Sequence, residues 1–134
     1  VSLTLIGDGD ISAAIEAVRG DQTDLLLGTG AAPEGVISAV ASMALDGVFE
    51  GRLMFRDDAD RERAASMLPD TDLDRLWANT DLCTSDDAIF VATGVCDGYL
   101  SGVSSSDGGH LTHSEVLATI DGSERHLSTF HPQD

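Results

Sequence analysis

The sequence contains no lysine, so its seven basic side chains are all arginine, and they stand against 24 aspartates and glutamates. The resulting formal charge of −17 at pH 7 excludes nucleic acid and anionic membranes as partners, because the long-range field repels phosphate. Such self-repulsion is screened at high ionic strength, so an acid-rich, lysine-free surface fits a halophilic source. Cysteine is nearly absent. Cys83 and Cys96 match no metal-ligand spacing, and two cysteines in an α/β domain are expected to be buried, reduced thiols rather than a disulfide. No apolar run approaches the length of a membrane span, and there is no signal-peptide pattern. The sequence shows no internal repeat, no nucleophile motif, no dinucleotide fingerprint and no pattern of a disordered tail. The 134 residues suffice for one domain with a real core.

What is present is concentrated in two acidic turns. The first follows Leu3-Thr4-Leu5-Ile6, an apolar run that predicts a buried strand. Gly7-Asp8-Gly9-Asp10 comes next, and then Ile11, Ala14, Ile15 and Val18 recur at the spacing of an amphipathic helix that ends at Gly20. Asp10 is the expected N-cap of that helix. The second turn follows Leu25–Leu27, predicted as a short strand. It runs Gly28-Thr29-Gly30-Ala31-Ala32-Pro33-Glu34, with Pro33 expected at the first helical position, where its missing N–H costs nothing. Free N–H groups at a helix start attract anions, and glycines let the backbone approach a ligand closely. One such turn is usually an ordinary strand–turn–helix joint. Two acidic turns at the carboxyl ends of successive strands point to a site, because ligands of open α/β sheets bind along that edge.

The remainder reads as scaffold. A helix from Pro33 to about Ala44 is expected to stop at Gly47, and Val48–Phe55 is predicted as a strand whose Arg52 is the better local candidate for a phosphate contact. Arg56, beside Asp57 and Asp58, reads as solvent-exposed. Helices are expected over Asp57 to Met67 and over Asp72–Asn79, the latter placing Trp77 in the core. Ile89–Ala92 reads as a strand buried on both faces, and Gly102 to Gly109 as a loop. His110 and His113 belong to a strand running to Ile120, where a separation of three puts them on opposite faces and makes them a poor metal pair. Ser114 beside His113 is no catalytic pair without an acid and an oxyanion site. Asp121-Gly122 then predicts a hairpin to His126–Phe130. Together these elements predict an α/β class, a layered sandwich with a mixed β-sheet.

The blocks Ile6-Gly7-Asp8-Gly9-Asp10-Ile11, Gly30-Ala31-Ala32-Pro33-Glu34-Gly35-Val36, Gly51-Arg52-Leu53-Met54-Phe55-Arg56, Ala92-Thr93-Gly94-Val95-Cys96-Asp97-Gly98 and Gly108-Gly109-His110-Leu111-Thr112-His113-Ser114 occur in this order. The series resembles the class II fructose-1,6-bisphosphatases, the GlpX-type enzymes and their cyanobacterial fructose/sedoheptulose bisphosphatase relatives. The resemblance implies a lithium-sensitive-phosphatase-like fold and Mg²⁺- or Mn²⁺-dependent removal of the 1-phosphate from fructose 1,6-bisphosphate, in gluconeogenesis or Calvin-type metabolism. It implies that Asp8, Gly9 and Asp10 hold the sugar and that Glu34 is a metal ligand. The resemblance also implies a substrate contact three residues before that glutamate, where the family has a glycine; this chain has Ala31 there, so the turn must tolerate a Cβ.

Family enzymes are longer, and their N-terminal portion carries the other metal ligands and the residues that position water. Nothing in this chain resembles that portion. The chain is therefore expected to be a C-terminal lobe, residues 1–134, with no catalytic residue of its own, nearly inactive alone, and partnered by an N-terminal catalytic lobe. A sugar bisphosphate substrate, a cytoplasmic location and a homo-oligomeric state complete the expectation. A second reading stays open, in which the lobe is a free-standing sugar-phosphate-binding or regulatory module without catalysis.

Overall fold

The computed structural model describes residues 1–133. Its elements run α1 (Asp10–Arg19), α2 (Ala32–Ala44), β1 (Glu50–Gly51), α3 (Asp58–Met67), β2 (Trp77–Ala78), α4 (Asn79–Leu82), β3 (Ile89–Thr93), β4 (Ser104–Ser106), β5 (Gly109–Ala118) and β6 (Glu124–Pro132). Strand β5 is the spine of a four-stranded sheet. Strand β6 pairs along one of its edges, while β3 (opposite residues 114–118) and β4 (opposite 109–111) share the other. A two-stranded ribbon, β1 with β2, stands apart. Helix α1 packs on α2, and α2 packs on β3 and β5, so a helical layer lies on the sheet in the layered α/β arrangement expected. All strand pairings among the described residues are antiparallel.

The core sits between those layers. Ile15 of α1, Ala41 and Ala44 of α2, Phe90 of β3 and Leu117 of β5 form one buried cluster, with Ile11, Val40, Leu45, Ala92 and Tyr99 packed against it. Burying a side chain such as Ile15 or Leu117 stabilises by about 1.5–3 kcal/mol, and small residues on α2 let that helix come close. Helix α2 ends in a Schellman arrangement. Gly47 N–H donates to Ser42 O at 2.7 Å and Asp46 N–H to Met43 O at 3.2 Å, with Asp46 taking the left-handed conformation (φ 56°). Gly47 is needed for packing rather than for its φ, because a Cβ there would collide with Val18 of α1.

Several expectations are corrected. Leu3–Ile6 and Leu25–Leu27 form no strand; Leu5 is 87% and Leu27 83% exposed. A sheet position is completed by neighbours, and neither segment has one among the described residues. The strand predicted over Val48–Phe55 is only Glu50–Gly51. The helix predicted over Asp72–Asn79 gives way to turns, then β2 and α4; Asp72 Oδ1 accepts from Asp74 N–H at 3.0 Å, a local bond that competes with helix formation. Trp77 is half-buried, with the Arg75 guanidinium 4.5 Å over its ring, rather than a core residue. Ile89–Thr93 alternates, with Phe90 buried and Ile89 and Val91 exposed, so it is covered on one face only. Within Gly102 to Gly109 lies the short strand β4. Helix α3, capped by Asp57 accepting from Asp60 N–H at 2.8 Å, and the β5–β6 hairpin with Gly122 at φ 63°, agree with the sequence pattern.

Candidate functional site

The two acidic turns converge on one cleft of about 630 Å³, lined by Asp8, Gly9, Asp10, Ala31 and Glu34 together with apolar side chains of α1, α2 and β3, and by Tyr99. All five residues singled out in the sequence therefore meet in space. Gly9 makes the first turn possible: it is the N-cap of α1 in the left-handed region (φ 85°), where its N–H donates to Asp8 Oδ1 at 2.8 Å. Asp10 is thus the first residue of the helix rather than its cap, and its side chain makes no cap bond. That leaves the Asp10 carboxylate free to face a ligand.

The second turn delivers Glu34. Ala31 caps α2 with φ −78° and ψ 155°, an extended conformation that accepts a Cβ without strain, so alanine fits this position. Helix α2 opens with Ala32, which moves Pro33 to the second helical position, still within the first turn where proline is tolerated. Glu34 is half-buried, and its Oε2 is fully buried with no hydrogen-bond partner. A buried carboxylate oxygen without a donor is costly unless something charged completes it.

Oxygen donors of this kind fit a hard divalent cation. Mg²⁺ and Mn²⁺ are held by carboxylates, and Asp8, Asp10 and Glu34 offer carboxylates to the same cleft. One partly buried glutamate does not fill an octahedral shell, so further ligands are required.

Among the described residues, none that lines the cleft is basic. Arg52, the phosphate candidate, does not reach it: its Nη1 donates to Asp74 O at 2.6 Å. Arg56 is forked onto Asp60 at 2.6 and 3.1 Å, as its exposed position suggested. Arg61 pairs with Asp74, Arg63 with Asp60, and Arg75 with Asp81. Asp60, Asp74 and Asp81 are each held below the usual carboxylate range, first by the hydrogen bond from their arginine. Arg56, Arg61, Arg63 and Arg75 are taken up by the chain's own acids and no arginine lines the cleft among the described residues, so a phosphate entering it would need neutralisation from elsewhere.

A second cluster lies beyond Tyr99. Glu115, Glu124 and His126 bring their ligand atoms within 4.8 Å of one another. The space is already taken by a cation, because Arg19 Nη2 lies 2.5 Å from both Glu115 Oε1 and Glu124 Oε1. His110 and His113 are separated as expected, His110 contacting Gln133 and His113 contacting Ser128 Oγ at 3.0 Å. Ser114 Oγ is 2.8 Å from Thr93 Oγ1 and has no acid–base partner. Cys83 and Cys96 are free thiols as expected, but neither is buried: Cys83 is half-buried and Cys96 exposed. Sequence reasoning missed Tyr99, Phe90 and Ile37 as cleft residues, since only the packing of distant segments brings them there.

The family model described as bacterial fructose-1,6-bisphosphatase, glpX-encoded, matches residues 1–131. The chain is 37% identical over 145 aligned residues to a D-fructose 1,6-bisphosphatase class 2/sedoheptulose 1,7-bisphosphatase of Synechococcus sp. (strain JA-2-3B'a(2-13)), covering 97% of this chain and 41% of that protein. Identity is 36% over 143 residues to the protein of the same name in Prochlorococcus marinus (strain MIT 9515), covering 96% of this chain and 43% of the relative. The chain thus spans about two fifths of the length of these relatives. It belongs to the bacterial, glpX-encoded fructose-1,6-bisphosphatase family.

Proposed function

We propose that this chain is the sugar-binding, metal-completing lobe of a class II fructose-1,6-bisphosphatase that hydrolyses the 1-phosphate of fructose 1,6-bisphosphate in the cytoplasm. The observation that carries the reading is the convergence of Asp8, Asp10, Ala31 and Glu34 on one cleft, with one oxygen of the Glu34 carboxylate buried and without a partner among the described residues. Asp8 and Asp10 accept hydrogen bonds from sugar hydroxyls and fix which phosphoester faces Glu34. Glu34 contributes a carboxylate oxygen to Mg²⁺ or Mn²⁺, and the remaining ligands come from an N-terminal lobe of the kind the longer relatives have room for. A bound divalent metal supplies charge neutralisation at the phosphoryl oxygens and a more acidic water. An acidic cleft without arginine suits this division, because it recognises hydroxyls and cations while leaving phosphate charge to the metals and the other lobe.

The exposed apolar approaches support that partner. Leu3, Leu5 and Ile6 lead into the first acidic turn, Leu25 and Leu27 into the second, and all five are exposed. Apolar residues grouped beside a site mark a surface made to be covered. The lobe covers it in this reading, bringing its metal ligands to the mouth of the cleft.

The test is Mn²⁺-dependent phosphate release from fructose 1,6-bisphosphate by the full-length protein beside its Glu34→Gln variant. Activity that collapses in the variant supports the phosphatase and the metal role of Glu34. No release from the intact protein at any Mn²⁺ or salt concentration sinks the phosphatase and favours a sugar-phosphate-binding module.

A further inference from the structure

Tyr99 is the only tyrosine of the chain, and it lines two hollows at once. On one side is the cleft of the acidic turns. On the other is a smaller hollow of about 300 Å³ that it shares with Arg19, His113, Ser114 and His126. Its hydroxyl is committed. It donates to Glu115 Oε2 at 2.8 Å and accepts from Arg19 Nη1, while Arg19 Nη2 holds Glu115 Oε1 at 2.5 Å. Glu115 is 0% exposed and Arg19 and Tyr99 are partly buried, so this is a closed triangle of hydrogen bonds around a buried acid rather than a surface ion pair.

The loop around Tyr99 is equally fixed. Gly94 N–H donates to His113 O at 2.9 Å, Val103 N–H to Val95 O at 3.2 Å, and Gly102 N–H to Asp97 Oδ1 at 2.8 Å. A Cβ on Gly94 would strike the Ser101 carbonyl, so the loop closes on itself without spare room. With its hydroxyl held away, what Tyr99 offers the cleft is aromatic ring, in company with Ile11, Ile15, Ile37 and Phe90. The opposite contribution comes from Asp8 and Asp10, whose carboxylates are hydrogen-bond acceptors suited to hydroxyl groups. A sugar is amphipathic in the same sense, with hydroxyls at its edge and a C–H face that packs on the negative face of an aromatic ring.

We infer that Tyr99 is a substrate-contacting, specificity-determining residue of the sugar cleft, and that Arg19 and Glu115 are positioning residues acting through it. This rests on the reading of the cleft as a sugar site. It goes further in naming which wall selects the sugar's orientation and what holds that wall. Arg19 also closes the last turn of α1, whose first turn carries Asp10, so the same clamp ties the acidic and aromatic walls to one helix.

Two measurements on the full-length protein test it: calorimetric binding of fructose 6-phosphate without metal, and KM and kcat for fructose 1,6-bisphosphate with Mn²⁺. Tyr99→Leu, which removes the ring, is expected to weaken fructose 6-phosphate binding and raise KM roughly 3–10-fold with kcat little changed. Tyr99→Phe keeps the ring and loses the clamp, and falls between wild type and Tyr99→Leu, as does Glu115→Gln. Melting temperatures identify any variant that fails to fold, and Tyr99→Met, which also removes the ring, carries the test if Tyr99→Leu does. Unchanged binding and KM in folded Tyr99→Leu, or in folded Tyr99→Met where Tyr99→Leu does not fold, overturn the inference while leaving the phosphatase standing. Wild-type binding with no hydrolysis, and binding weakened in Tyr99→Leu, sinks the phosphatase and sustains the inference. Absence of both binding and hydrolysis in the wild type overturns both.

Discussion

A Cβ placed on Gly30 would stand 2.7 Å from Asp10 Oδ2, so the carboxylate of the first acidic turn lies directly against the backbone of the second. The two turns are a single structure, and glycine at 30 is what lets them touch. Gly30 has no positive φ, so alanine is acceptable to the backbone there and the clash falls on the movable end of Asp10. Gly30→Ala is therefore expected to swing the Asp10 carboxylate and weaken fructose 6-phosphate binding several-fold. Its melting free energy should stay within about 0.5 kcal/mol of wild type, as for changes that disturb no core contact. Calorimetric titration beside thermal melting checks it; equal affinity in the variant removes Asp10 from the binding role.

That the two acidic turns meet was legible in the sequence, as was the layered α/β class, whereas several individual strands and helices around them were not. Asp8, Gly9, Asp10, Ala31 and Glu34 are set by two short motifs whose helix starts are local, and local signals survive into the structure. Leu3–Ile6 and Leu25–Leu27 carry strand-like composition, yet a strand exists only when a neighbour accepts its backbone bonds. Asp72–Asn79 failed differently: Asp72 bonds locally to Asp74 N–H, while Gly51 pairs with Trp77 from a distance. Arg19, Tyr99 and Glu115 lie 80 and 96 residues apart along their two bonds from Arg19, a separation that no periodicity reports.

The Tyr99 clamp gives a signature at alkaline pH. Burial, and then the hydrogen bond it donates to Glu115, raise the Tyr99 phenol well above its usual value near 10. A group raised on folding contributes stability that is complete below its unfolded pKa and lost as pH rises through the folded one. Stability should therefore decline from about pH 10 upward. In Tyr99→Phe that part of the decline should vanish. Urea melts at pH 8 through 11 measure this, and parallel slopes for the two proteins would show that the phenol does not titrate with unfolding.

Charge makes a prediction in the opposite pH range. At −17 the folded chain repels itself, and salt screens that repulsion, so the melting temperature should rise from low to molar NaCl. Acid acts twice. Neutralising exposed carboxylates relieves repulsion down to about the pI of 4.1. Below that, Asp60, Asp74 and Asp81 decide the sign, because their arginine partners depress them. Groups depressed on folding add stability above their unfolded pKa, near 3.9, and lose it as pH falls through the lower folded values. Stability in low salt should peak between about pH 4 and 6 and collapse below 3.5. A melting temperature flat with NaCl at pH 7 would mean that the arginine pairs already cancel the repulsion.

The ion pair of Arg19 with Glu115 separates the cost of breaking a buried charge from the worth of having it. Arg19 is about one-quarter exposed, whereas Glu115 is wholly buried, so removing the arginine strands the glutamate. Arg19→Met should destabilise by about 3–5 kcal/mol, the penalty of a buried charge left without its partner. Glu115→Leu alone should cost less, since Arg19 keeps Glu124 at 2.5 Å and can turn toward solvent. The double variant Arg19→Met/Glu115→Leu should recover most of the loss, because two apolar side chains of similar volume remove both charges from the interior. Urea melts of the four proteins close the cycle. Recovery of stability without recovery of fructose 6-phosphate affinity would assign the pair to orienting Tyr99, since a purely structural pair would restore both together.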